Sequence, residues 1–141
     1  MAAVVAGYRR DVLLAIAAGG ALGSLARYGM AELFAHPPGE FAVSTLLTNV
    51  LGSLGLGTLM AFVEHGRLPL LLRPFLGIGF FGGFTTMSAF ALDTVEAVRQ
   101  GNAGMAVAYV AGSLAASFVA VAAGFVGTGK RLRRAGRGGR S

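Results

Sequence analysis

Tyr109, Ser113 and Ser117 stand four residues apart in an otherwise oily stretch, and in another Thr45, Asn49 and Gly52 or Ser53 recur at i, i+4 and i+7 or i+8. On a helix each set falls on one stripe. Both stripes offer hydrogen-bond donation without charge: hydroxyls on one, a threonine hydroxyl and an amide NH2 on the other. Such a wall suits an anion in transit, because conduction needs weak, repeated sites and a lysine or arginine among them would hold the ion too deeply. Each set also has a plainer reading. Asn49 equally suits a helix-to-helix contact, and helical serines often return their proton to the carbonyl one turn back.

A second constellation is "GFFGGFTTMSAF", residues 79–90. Glycine loosens a helix and adjacent threonines crowd it. The uncharged run 74–92 is therefore predicted to be two helices, about 70–81 and 87–98, with "GGFTT" as the break. At such a break, carbonyls that have lost their helical donor can coordinate a cation, while helix-end amides favour an anion. Beyond it Met87 and Phe90 share a face and Asp93 follows three residues later. That spacing fits ordinary packing with an interfacial charge as well as it fits a lined pathway.

The elements that must carry these residues are membrane spans. The chain has 141 residues, 55% hydrophobic and 13% charged, too apolar for an ordinary soluble domain. Uncharged runs at 41–63, 74–92 and 100–129 exceed a spanning length of about 17 residues. A fourth, 12–26, reaches it by continuing through Arg27 to about residue 31. Four transmembrane helices are expected, over about 11–34, 41–63, 70–98 and 103–126, within a channel-sized domain 11–128. A short N-terminal segment 1–10 and a loose basic tail 129–141 flank it. Gly19 and Gly23, with Gly20 and Ser24 one residue on, give helix 1 a face for close packing in lipid, and "AHPPGE" is a turn.

No enzyme is expected: there is no cysteine, and no embedded histidine or carboxylate pair offers a base, nucleophile or metal site. His36 and His65 fall in loops. Arg9 and Arg10 precede an apolar run followed by more spans, so a cleaved signal is not expected. Arg9, Arg10, Arg67, Arg73, Lys130, Arg131, Arg133, Arg134, Arg137 and Arg140 fall on one side of a four-span chain, Arg27 and Arg99 on the other. This bias puts both termini in the cytoplasm of a multi-pass protein of the inner (plasma) membrane. The net charge of +6 is then a lipid-facing anchor and not a nucleic-acid surface.

Taken together, "GGALGSLARY" at 19–28, "STLLTNVLGS" at 44–53, "GFFGGFTTMSAF" at 79–90 and the Tyr109, Ser113, Ser117 stripe resemble the Fluc or CrcB family of small fluoride channels. The resemblance covers nearly the whole chain. It implies an all-α membrane protein that forms an antiparallel dimer, with fluoride pathways along the subunit interface and one structural Na+ held by backbone carbonyls, here those of Gly82 and Thr85. Carried over residue by residue, the pathway comprises Asn49, Thr45, Phe90, Asp93, Tyr109, Ser113 and Ser117, with Arg27 near the vestibule. Met87 takes the place of the first of two phenylalanines; a thioether lacks the positive ring edge that meets an anion. The implied activity is passive fluoride export, which lowers fluoride toxicity. The implied partners are fluoride, membrane lipids and a second subunit, either the same chain or a paralogous one of opposite charge bias. A small four-helix multidrug transporter would need an acid inside helix 1, and 12–26 has none. A non-conducting structural subunit would leave the broken helix 3 and its polar companions unexplained.

Overall fold

The computed structural model describes residues 2–66 and 68–138; Arg67 and Arg140, both counted in the charge bias, lie outside the described residues. Helix α1 spans Ala2–Leu33 and α2 spans Val43–Glu64. The third membrane element begins as a π-helix, Pro74–Phe81, runs on into a single α turn, α3, at Gly82–Phe84, and resumes as α4, Met87–Arg99. Helix α5 spans Ala103–Gly138. Four helical stretches are long and apolar enough to cross a membrane: Arg10–Leu33, Val43–Glu64, Pro74–Arg99 and Ala103–Gly136. The turns after α2 and α4 contain Gly66 and Gly101 at φ +63° and +81°, where a side chain would be strained.

The bundle is assembled from two pairs, α1 against the π segment with α3, and α2 against α5, with α4 leaning on α5. Small residues make this possible. A Cβ at Gly19 would run into the Phe75 carbonyl and one at Gly23 into the Phe80 carbonyl, while in the other pair a Cβ at Gly57 would strike the Val121 carbonyl. The buried interior is mostly small, with Ala42, Ala61, Ala97, Ala106, Ala120 and Thr48 beside the larger Leu59, Phe84 and Tyr109, whereas Leu14, Leu25, Ile78, Val107 and Phe118 are exposed. Apolar bulk outside and small residues inside is the arrangement lipid favours, because helices there associate through close packing.

Two sequence expectations need correction. Helix α1 starts at Ala2 and α5 continues to Gly138, so the terminal segments are helical and the tail is not loose over its described length. Lysine, arginine, leucine and alanine are good helix formers, and cations at a helix C-terminus complement its dipole. The break in the third element is also narrower than "GGFTT". Gly82 keeps helical angles (φ −66°, ψ −35°), while Thr85 (φ −73°, ψ 154°) and Thr86 (φ −146°, ψ 122°) are extended. Gly83 serves packing instead, since a Cβ there would meet the Gly20 carbonyl at 2.5 Å.

Candidate functional site

The two threonines open the helix because side chains supply what the backbone gives up. The Thr86 amide donates to Asn49 Oδ1 at 2.8 Å, and Asn49 Nδ2 donates to the Thr86 carbonyl at 3.0 Å. Thr86 also caps α4, its hydroxyl accepting from the Ala89 amide at 3.1 Å, which satisfies one of the donors a helix start leaves open. In a continuous helix these two amides would reach the carbonyls of Gly82 and Thr85. Both are diverted, so those carbonyls are released from helical pairing. On the α1 side Arg27 Nε donates to the Gly83 carbonyl at 3.0 Å. Two oxygens three residues apart in the chain, freed of helical donors and carrying no charge, are a donor set that fits a hard monovalent cation.

At the break lies a groove of about 350 Å³, lined by Asn49, Gly52, Ser53, Phe81, Gly82, Thr85, Thr86, Met87, Phe90, Ser113 and Ser117, among others. Its walls come from α2, the broken element and α5. Ser113 is 4% exposed, and its Oγ is the buried side-chain polar atom that finds no hydrogen-bond partner among the described residues. A buried hydroxyl left unpaired costs about 1 to 3 kcal/mol, which marks Ser113 as a position with a use outside this subunit's own packing. Met87 is 73% exposed at the groove's edge.

The residues expected to line one pathway are divided by the structure into three groups. Asn49, Met87, Phe90, Ser113 and Ser117 share the groove with Gly82 and Thr85. Thr45, Asp93 and Tyr109 form a polar knot beside it: Thr45 Oγ1 donates to Asp93 Oδ2 at 2.7 Å and the Tyr109 hydroxyl donates to the same oxygen at a longer 3.4 Å. Phe90 joins the two groups, its ring centroid 5.4 Å from that of Tyr109, and Phe41 meets Tyr109 edge-on at 5.3 Å. Arg27 stands apart, on α1. A second pocket, of about 360 Å³ and lined by His36, Glu40, Asp93 and Glu96 with Pro38, Gly39 and Leu92, shares Asp93 with the knot. Sequence reasoning missed Thr86, whose T-x-x spacing to Ala89 at a helix start was the available signal. Of the two readings open for Asn49, the helix-to-helix contact is made, since one amide hydrogen and the amide oxygen are engaged by Thr86. His65 Nδ1 lies 2.8 Å from the Ala61 carbonyl at the end of α2.

A four-helix membrane protein with a broken third helix, neutral donors along a lateral groove and glycine-mediated packing is thereby defined. The family model "CrcB-like protein, Camphor Resistance (CrcB)" matches residues 14–125, and the chain belongs to this family. It is 46% identical over 121 residues to a fluoride-specific ion channel FluC of Paracoccus denitrificans, covering 85% of this chain and 97% of that protein. It is 42% identical over 125 residues to a fluoride-specific ion channel FluC 2 of Thermobifida fusca, covering 88% and 93%. A FluC 2 of Bacillus subtilis is 46% identical over 114 residues, covering 80% and 85%.

Proposed function

We propose that this chain is a fluoride-selective channel that lets the ion leave the cytoplasm down its gradient, and so lowers its toxicity. The observation that carries the reading is the unpartnered Ser113 hydroxyl in the groove, in a chain whose relatives are named fluoride-specific ion channels. A small anion leaves water only where donors replace its shell, and an uncharged donor does so without trapping it. Ser113, Ser117 and the second amide hydrogen of Asn49 supply such donors. The Thr45 and Tyr109 protons are given to Asp93, so these two residues act beside the path through the position of Phe90 and Tyr109.

The groove opens on the flank of the subunit, and extended backbone at membrane depth must be covered by protein or water. The cover proposed is a second subunit inserted antiparallel, with one structural Na+ at the centre bound by the Gly82 and Thr85 carbonyls. When bound, the cation supplies charge that ties the two broken helices together. Either the same chain or a paralogous one serves as that subunit, and both termini of this chain face the cytoplasm. Vesicles loaded with fluoride or chloride and containing the purified protein test the function. Fluoride is expected to leave and chloride to stay; equal flux of the two halides, or none with or without a second homologous chain, overturns it.

A further inference from the structure

We propose that Arg27 is a positioning residue for the break in the third helix: by occupying the Gly83 carbonyl it keeps the neighbouring Gly82 carbonyl available at the groove. This rests on the central Na+ described above. Four facts converge on it. Arg27 is half-buried and its Nε donates to Gly83 O at 3.0 Å. It lies one helical turn beyond Gly23, in the stretch of α1 where Gly19, Gly20 and Gly23 bring backbone against backbone with the π segment and α3. Asn49 makes the matching attachment from α2 on the other side, to Thr86. Gly82, one peptide from the Arg27 attachment, is exposed, and a Cβ there would meet nothing within 4 Å.

The physical consequence is a division of labour among consecutive carbonyls. A released Gly83 carbonyl would compete for the same cation or turn the Gly82 peptide to find another donor, since a carbonyl without a partner is costly at membrane depth. A charged N–H donor fixes it with a stronger bond than a neutral one. Arg27 therefore acts on ion binding through peptide orientation, without touching the ion. Groups that orient metal ligands typically change affinity by about 10-fold or more when removed.

The test uses the full chain in detergent. Because the protein has no tryptophan, thermal unfolding is followed by circular dichroism across a sodium chloride series, with N-methylglucamine chloride holding ionic strength constant. Wild type is expected to gain stability saturably with sodium. Arg27→Ala should need about 10-fold more sodium for the same gain, and Arg27→Lys, which retains one charged donor, should recover part of it. An Arg27→Ala protein that is destabilised equally at every sodium concentration, with an unchanged half-saturating value, would reduce Arg27 to a helix tie and overturn the proposal. No sodium response in wild type removes the sodium reading and this inference together, whatever the fluoride flux. Should Arg27→Ala fail to assemble, Arg27→Lys against wild type decides the same question.

Discussion

Ser113 on α5 and Asn49 on α2 line one groove, and their hydrogen bonding differs. Ser113 has no partner to lose among the described residues, so Ser113→Ala is expected to keep or raise stability, by up to the about 1 to 3 kcal/mol that a buried unpaired hydroxyl costs, while slowing fluoride flux by about 10-fold. Unfolding midpoints and vesicle efflux measured on one preparation check the separation, and unchanged efflux would mean the hydroxyl plays no part. Asn49→Asp keeps the size and the acceptor for the Thr86 amide, but leaves the Thr86 carbonyl without its donor and sets a carboxylate against an incoming anion. Flux is expected to collapse while the dimer still forms by cross-linking; retained flux would show that Asn49 only packs. At this scale the sequence was a good guide to residue types, since helical spacing put Asn49 on one polar stripe and Ser113 and Ser117 on another, and the structure brings the two stripes to one groove. What it could not show was who bonds to whom. That the protons of Thr45 and Tyr109 go to Asp93 depends on α2, α4 and α5 meeting, and no local spacing encodes that meeting.

The broken third element shows how local chemistry and packing share a task. Four spans and one interruption were legible, because uncharged runs of spanning length and a glycine–threonine cluster are both local features. The place of the break was not, because glycine has two uses: it loosens a helix, and it lets helices touch. Gly83 takes the second use against Gly20, so the opening moves to Thr85 and Thr86, where β-branched side chains favour extended backbone. Thr86 then starts α4 as its cap. Thr86→Ala removes that cap and keeps the backbone pair with Asn49, so it is expected to cost about 1 kcal/mol of stability and to reduce flux far less than Asn49→Asp. Equal losses of flux in the two variants would show that the cap, and not the amide pair, holds the break open. The unforeseen length of α5 has a related cause: Gly127 and Gly129 are poor helix formers, but a helix already about six turns long propagates through single glycines at about 1 kcal/mol each.

For the whole molecule the governing feature is orientation. Counted along a four-span sequence, ten of the twelve lysine and arginine residues are expected on one side of the membrane, and four of them, Lys130, Arg131, Arg133 and Arg134, stand exposed on the continuous α5 helix, near the apolar run, where such charges count most. This chain expressed alone is therefore expected to insert with its C-terminus inside, and to export fluoride fully only beside a paralogous chain of opposite bias. Accessibility tagging of the C-terminus, with efflux measured with and without the second chain, decides it; equal inside and outside populations with full efflux from the lone chain would establish a dual-topology homodimer. The same two ends differ electrically, with Glu40, Asp93 and Glu96 around a pocket at one and the basic turns of α5 at the other. In a pair of identical antiparallel chains each face of the membrane receives one of each, and the ends cancel. A mixed pair with both basic ends inward does not cancel. Anions gather at its inner mouth and are thinned at its outer mouth, and its current–voltage curve rectifies, more steeply in dilute salt, whereas that of the identical pair is symmetric about zero.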